Sequence, residues 1–323
     1  MLSHWAMTPV AGAVLLALVL YEAGLARLRA RRPPSPREDG AAPWHRWRAR
    51  RAWLFRGGVA LALSASSSPL AYWGMRDLSL HMIDHILLMF AAPAAMVAGG
   101  PVVPLCHALP LRTRVAALRW LRRSRTGSLL GGAWKAATRP VVGFVAVNAA
   151  MLAWHAPRLF DAAMSSWSVH DLLMEPSFVL SGILFWRSVY SSHPYGPRAR
   201  PRTQLLMVAG TNVEMVLLAI SMSVLTHHAW YTMGSHVPAA AGMAMAASAV
   251  AAFHAQQTAA GVLWICGDFW ALPSIVVIVQ RVIRRDGSLL AALEHSLGER
   301  GARPGPPHGS TASAGPVASN PAT

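Results

Sequence analysis

Seven long apolar runs divide this chain, and they constrain its fold more than any other feature of the sequence. Each run comes close to the length of about 20 residues with which a helix crosses the hydrocarbon core of a bilayer. The runs lie at roughly 8–26, 52–71, 81–100, 140–156, 169–190, 204–226 and 257–280. The sequence does not show the ten-residue alternating segments of a transmembrane β-barrel. It therefore predicts an all-α, polytopic membrane bundle with seven transmembrane helices.

Arginine is distributed unevenly among the loops, and this predicts the orientation of the bundle. The arginine-rich segments are 27–51, 101–139, 191–203 and the stretch after 280. The segments with one arginine or none are 72–80, 157–168 and 227–256. Loops rich in lysine and arginine remain on the cytoplasmic side of a membrane. We therefore expect the N-terminus outside and the C-terminus in the cytoplasm.

Composition and charge exclude several other classes of protein. The chain is 54% hydrophobic and only 13% charged, which is too apolar for an ordinary soluble domain. Its net charge of +16 comes from the membrane loops, so no nucleic-acid partner is expected. The only lysine, Lys135, lies in a loop, and no span can therefore form a retinal Schiff base. Cys106 and Cys266 are far apart and do not form a CxxC metal motif.

The domain organisation follows from the same pattern. We expect a seven-span membrane domain over 1–285 and a largely disordered cytoplasmic tail over 286–323, which is rich in Gly, Pro, Ser and Ala. The N-terminal run lacks a basic start and a cleavage site, so it is interpreted as a retained first span. Segment 111–125 is basic with apolar residues at helical spacing. It is either an amphipathic helix on the cytoplasmic membrane surface or a plain basic loop.

Histidines and methionines recur one helical turn apart at the predicted outer ends of three spans. The groups are His81, His85 and Met89; Met151 and His155; His170 and Met174. Imidazole ligates several transition metals and thioether sulfur favours Cu(I), so a set without cysteine favours copper over zinc. Asp84 is a further candidate, either as a ligand or as the partner that orients a histidine. The alternative is a row of interfacial histidines bonded to water, with methionines that fill gaps between helices.

Two carboxylates, Glu214 and Asp268, lie near the middle of the sixth and seventh spans. A charged group at the bilayer centre costs roughly 2.5–3.5 kcal/mol on insertion scales, so both should face the interior of the bundle. They form either a proton or cation relay or a polar clamp between helices. Their candidate partners are Asn148, Asn212, Gln256 and Gln257.

Three motifs together resemble the CtaG-type cytochrome c oxidase assembly factors of Gram-positive bacteria. The motif "HMIDHILLMFAAPAAMVAGGPVVPL" (81–105) is similar to the first signature of that family, a His-Met-x-x-His start followed by an apolar run with proline. The Trp-His-x-Pro motif and the Val-His start of the next span match within 153–186. "QQTAAGVLW" (256–264) is similar to the last signature. The resemblance covers about residues 50–285.

The resemblance implies a non-enzymatic plasma-membrane protein that helps to mature a haem–copper oxidase. It implies copper as the cargo and a cytochrome c oxidase subunit as the partner. Carried over by position, the metal-binding histidines of the family are His81, His85, His155 and His170. Asp84 or Glu175 would orient them. The chain departs from the family pattern at Ala255, where an aspartate is expected, and at Pro176, where many members have histidine.

Two other functions fit the same residues. In a copper permease, the methionine rows together with Glu214 and Asp268 would form a path across the membrane. In a b-type haem protein, histidines from facing helices would be axial ligands. The position of the histidines at the ends of the spans, instead of near their middle, argues against haem.

Overall fold

A computed structural model of the chain describes residues 7–30, 43–190, 196–231 and 242–287. Within these residues the regular structure is entirely helical, as the sequence predicts. Contacts divide the chain into two units, 1–278 and 279–323. The second unit is described only as far as 287, so most of the predicted tail 286–323 lies outside the described residues.

Helices α1 to α5 span Pro9–Ala30, Pro43–Ser67, Pro69–Gly74, Leu78–Ile86 and Ala92–Ala98. Helices α6 to α10 span Val102–Ala108, Leu111–Arg123, Arg125–Ala137, Pro140–His155 and Pro157–Ser165. Helices α11 to α14 span Trp167–Val169, Glu175–Val189, Pro201–Ser223 and Gly242–Asp286. Helices α11 and α12 belong to one apolar segment, Trp167–Val189. Two π-helical segments complete the inner helices: Leu87–Ala91 joins α4 to α5, and His170–Met174 joins α11 to α12.

All seven predicted runs fall on helices, and the chain is a multi-pass membrane protein. Among the described residues, five helical segments are long and apolar enough to cross a membrane. A sixth is reached if α8 and α9, which meet at a bend of 71°, form one span. The predicted second span, 52–71, falls on α2 and α3 and is not among these. The count of seven and the orientation of the termini therefore remain predictions.

Close packing of α12 against the π-helical segment Leu87–Ala91 positions the centre of the bundle. A Cβ atom on Gly182 would collide with the carbonyl oxygen of Met89 and would lie 2.9 Å from Cγ of Pro93. Small residues allow transmembrane helices to approach backbone to backbone. Gly182 therefore lets α12 lie directly on this segment, and α12 also packs along α9.

The first two helices are held together by an aromatic stack and an ion pair. The ring of Tyr21 stacks on Phe55 with centroids 4.1 Å apart. At the next residue of each helix, Arg56 Nε and Nη2 donate to the two carboxylate oxygens of Glu22 at 2.7 and 2.8 Å. Each charge would be costly alone in an apolar helix, and the bidentate pair neutralises both. This seam fixes α1, whose preceding residue Thr8 lines the cavity described below.

An aromatic layer ties α14 to the inner helices. Phe90 of the π-helical segment stacks on Trp270 at 4.2 Å, and Trp186 meets the same indole edge-on at 5.7 Å. The Tyr190 hydroxyl and Ser274 Oγ lie 2.9 Å apart. Because Phe90, Trp186 and Trp270 are large and buried, they fix how the π-helical segment, α12 and α14 converge.

The amphipathic segment predicted at 111–125 is helical, as α7, and none of its residues is buried. Leu118 and Trp120 are both exposed on it. Its location on the membrane surface remains a prediction.

Candidate metal centre

Helix α4 presents His81 and His85 to the interior of the bundle. The helix begins at Leu78 because Oδ1 of Asp77 accepts a hydrogen bond from the Leu80 N–H at 2.9 Å, which caps its first turn. His81 and His85 follow one turn apart and are only 2% and 5% exposed. The π-helical segment starts two residues after His85. Such segments occur frequently at functional sites because the extra residue redirects the side chains that follow.

Local sequence also fixes the positions of the other two predicted histidines. Helix α9 ends at His155 because Ala156 precedes Pro157, and the residue before a proline is disfavoured from helical geometry. Ala156 is accordingly extended, with φ −66° and ψ 128°. His155 therefore lies at the end of its helix, where it is buried. His170 is the first residue of the second π-helical segment.

The structure brings all four predicted histidines into one cluster. The ring centroids of His81 and His85 are 4.3 Å apart. His170 lies 5.7 Å from His81, and His155 lies 5.5 Å from His85. Three helical segments that are far apart in the sequence thus contribute one continuous group of imidazoles.

His155 is held in a defined tautomer, and its free nitrogen faces a sulfur atom. Its Nδ1 lies 2.7 Å from the carbonyl oxygen of Met151, a contact that requires the proton to be on Nδ1. Nε2 then carries a lone pair, and it lies 3.2 Å from Sδ of Met82. A thioether has no proton to donate. Two electron-pair donors thus face each other without a hydrogen between them.

Several other buried polar atoms of the cluster have no hydrogen-bond partner among the described residues. They are Nε2 of His81, both ring nitrogens of His85, Oδ1 of Asp84 and Oε2 of Glu175. Most buried polar groups in proteins are paired, and an exception calls for an explanation such as a bound ion. The unpaired imidazole nitrogens beside the His155–Met82 pair are the donor set that a soft metal ion takes. The residues present therefore fit a copper ion.

A cavity of about 320 Å³ opens beside the histidines. Its lining includes His81, His85 and His170 together with the carboxylates of Asp84, Asp171 and Glu175. Nδ1 of His170 and Oδ1 of Asp171 are 2.6 Å apart. Metal-ligating histidines commonly donate to a carboxylate in this way. We expected Asp84 or Glu175 to orient a histidine, and Asp171 makes that contact with His170.

The methionines of the predicted rows lie against the cluster. Met89 and Met151 line a void of about 10 Å³ between His85 and His155, and Met174 lines the larger cavity. Helical spacing did not point to Met82, because it lies next to His81 and not one turn away, although it is the methionine of the His-Met-x-x-His motif. Asp171 was also missed, although it directly follows His170. A general rule could have found Asp171, namely that ligand histidines need an acidic partner.

The two mid-span carboxylates do not belong to this cluster. Asn212 Nδ2 donates to Oδ1 of Asp268 at 3.0 Å, which joins α13 to α14 as a polar clamp would. Glu214 lies two residues after Asn212 on α13, and its Oε1 has no hydrogen-bond partner among the described residues. Asn148, another candidate partner, donates to the Phe144 carbonyl of its own helix. The contacts of Asp268 thus favour the clamp over a relay.

Gln256 of the last motif holds the segment that contacts His155. Gln256 accepts from the Trp230 N–H at 2.6 Å and donates to the Met222 carbonyl at 2.8 Å. This places Tyr231, whose hydroxyl donates to the His155 carbonyl at 2.9 Å. Burial raises the pKa of the Tyr231 phenol, with a further contribution from the negative charge of Asp161, so the hydroxyl stays protonated and remains a donor.

The fold and the site define a class: a multi-pass helical membrane protein with buried histidines gathered at a candidate metal centre. The chain matches the cytochrome c oxidase caa3 assembly factor family over residues 19–285, and it belongs to that family. The match confirms the resemblance seen in the motifs and extends it to the first helix. The family is described by an assembly role and not by a catalysed reaction.

The curated relatives that match this chain are much longer proteins. The chain is 30% identical over 209 residues to uncharacterized proteins of Mycobacterium bovis and Mycobacterium tuberculosis, which covers 62% of this chain and 28% of each relative. An uncharacterized protein of Mycobacterium leprae is 28% identical over 246 residues, or 71% of this chain and 32% of the relative. The chain thus spans less than a third of the length of these relatives. No solved structure matches it significantly.

Proposed function

We propose that this protein is an assembly factor for a haem–copper cytochrome c oxidase, and that it binds Cu(I) as cargo at His81, His85, His155 and His170. Membership of the assembly factor family supports the first part. The observation that carries the second part is the contact between His155 Nε2 and Met82 Sδ, in which two lone pairs face each other. The partner in this proposal is the oxidase subunit that receives copper.

The distances around His155 suit a copper ion. Metal–nitrogen bonds of about 2.0 Å and metal–sulfur bonds of about 2.3 Å put two ligand atoms about 3.5 Å apart at a tetrahedral angle. The observed 3.2 Å between His155 Nε2 and Met82 Sδ is close to this value. His85, with both ring nitrogens unpaired, supplies the next ligand. A thioether in the set selects Cu(I) over harder ions.

The distribution of arginine supports a location of this cluster at the outer face. His81 follows loop 72–80, and His155 and His170 flank loop 157–168, the two loops that hold one arginine each. With seven spans, an external N-terminus and a cytoplasmic C-terminus, both loops are external. In this arrangement copper would be received and delivered outside the cytoplasm.

Measurement of Cu(I) stoichiometry on the purified protein tests the proposal. We expect the wild-type chain to retain Cu(I) through dialysis and His85→Ala to lose it, because both nitrogens of that ring are otherwise unpaired in the cluster. His227→Ala is a matched control, since His227 is exposed. If His85→Ala bound as much Cu(I) as His227→Ala, the site would be wrong.

A copper permease is the second candidate, because Met89, Met151 and Met215 continue inward from the histidines around the small void. Proteoliposomes that contain the protein would accumulate copper if it were a permease. An assembly factor should leave their copper content equal to that of empty vesicles. The absorbance spectrum of the same preparation tests the haem alternative, which requires a bound haem chromophore.

A further inference from the structure

We infer that His170, Asp171 and Glu175 form a second cation site, which takes a divalent ion such as Zn²⁺ through oxygen and nitrogen ligands. It goes beyond the copper proposal because its other ligands are carboxylates, and the two sites share only His170. One ligand atom from each of the three residues lies within 4.8 Å of the other two. Zinc bonds of about 2.0–2.2 Å to oxygen and nitrogen hold ligand atoms about 3.4 Å apart at a tetrahedral angle. Side-chain rotations that move the ligand atoms by about 1 Å would close this difference.

The π-helical segment explains why these three residues share a face. In an α-helix, Asp171 and Glu175 would align at a spacing of four, whereas His170 would lie behind them. The N–H of Glu175 instead bonds the carbonyl of His170, five residues earlier. This wider turn places positions at spacings of both four and five on the same face. His170 and Asp171 can therefore both point toward Glu175.

Three buried carboxyl groups around the cavity favour a bound cation. Asp84, Asp171 and Glu175 all line it and are 4–6% exposed. The residues that line the cavity in the described part of the chain include neither lysine nor arginine. An uncompensated ion in such a place costs several kcal/mol. A divalent ion would balance two carboxylates.

Unpaired atoms in the same cavity point to a ligand independently of this charge. Oε2 of Glu175 and Oδ1 of Asp84 have no hydrogen-bond partner among the described residues. Asp84 belongs to α4 and lines the same cavity as Asp171 and Glu175 of the other helical segment. The contact between Nδ1 of His170 and Oδ1 of Asp171 leaves the other imidazole nitrogen and the second carboxylate oxygen available. The donor set of one imidazole with carboxylates suits Zn²⁺ and lacks the sulfur that favours Cu(I).

The test compares Zn²⁺ and Cu(I) binding by the purified full-length protein. Each metal is titrated alone, Zn²⁺ by equilibrium dialysis and Cu(I) against a competing chelator. The variants are Glu175→Gln and Asp171→Asn, which remove charge at constant shape, and Met82→Leu, which removes the sulfur. Asp77→Asn is the matched control, because Asp77 is exposed and asparagine preserves its capping role.

We expect Glu175→Gln and Asp171→Asn to weaken Zn²⁺ binding at least about tenfold, and Glu175→Gln, which does not contact His170 through its carboxylate, to keep Cu(I) stoichiometry. Met82→Leu should weaken Cu(I) binding and leave Zn²⁺ binding unchanged. The inference is overturned if the wild-type protein binds no Zn²⁺, if both carboxamide variants bind it normally, or if Met82→Leu loses it equally. Failure of the copper proposal would leave the Zn²⁺ pattern intact, so the two outcomes are distinguishable. If one carboxamide variant does not fold, the other provides the same Zn²⁺ comparison.

Discussion

His155→Ala is expected to lower the affinity for Cu(I) by at least about 100-fold, the upper range for loss of a residue that only supports a ligand. The tautomer of His155 is set by a backbone contact, with Nδ1 against the Met151 carbonyl. Its Nε2 therefore carries a lone pair, available to a metal ion, that faces Met82. Competition with a Cu(I)-specific chelator measures the change.

Met82→Leu separates the contribution of sulfur from that of nitrogen. Leucine conserves the volume of methionine, so the buried side chain should pack with little loss of stability. We expect Cu(I) affinity to fall about tenfold, since a donor atom is lost while the imidazoles remain. Met207→Leu is the control, because Met207 is also buried but lines neither cavity. Equal Cu(I) affinity in the two leucine variants would show that the site uses histidine alone.

Gly182→Ala is expected to destabilise the bundle by about 2–3 kcal/mol, in the range seen for overpacked cores. The added methyl group would meet the carbonyl oxygen of Met89, and a backbone atom cannot move aside as a flexible side chain does. Helix α12 would have to separate from the π-helical segment that follows His85. The melting temperature in detergent should fall, and Cu(I) affinity should fall with it.

Gly12→Ala provides the matched control for this change. Gly12 also lies in a helix, α1, but no atom would lie within 4 Å of its added Cβ. Alanine favours a helix over glycine by up to about 1 kcal/mol, so this variant should melt at the same temperature or higher. Similar melting temperatures for the two variants would show that the contact at Gly182 does not limit the packing of α12.

The sequence predicted the candidate site best where one helix was sufficient. His81 and His85 share a face at a spacing of four, and Met151 with His155 do the same. In each case the period of the α-helix relates the two residues directly. The α-helical period does not apply to the π-helical segment His170–Met174, where the turn is wider. His170 joins Asp171 and Glu175 through that wider turn, so α-helical spacing could not indicate that all three residues share a face.

Contacts between helices were beyond the reach of spacing arguments. Met82 and His155 are 73 residues apart, and they meet because α4, α9 and α12 converge. The pairing of Asn212 with Asp268 is similar. Four side chains were candidate partners for the carboxylates, and only the packing of α13 on α14 selects Asn212 for Asp268. Such choices depend on rotations and approach distances that local sequence does not encode.

The sequence by itself determined the class of the protein. Long apolar runs must satisfy their backbone hydrogen bonds internally when they lie in lipid, so they form helices, and the helical period then assigns histidines and methionines to faces. The tertiary structure decided which faces meet. Close approach at Gly182, the end of α9 before Pro157 and the two π-helical segments bring the imidazoles and Met82 into one cluster, beside a cavity that three carboxylates line. These features act through packing between distant segments, which is why only the folded chain shows a candidate centre with both sulfur and oxygen donors.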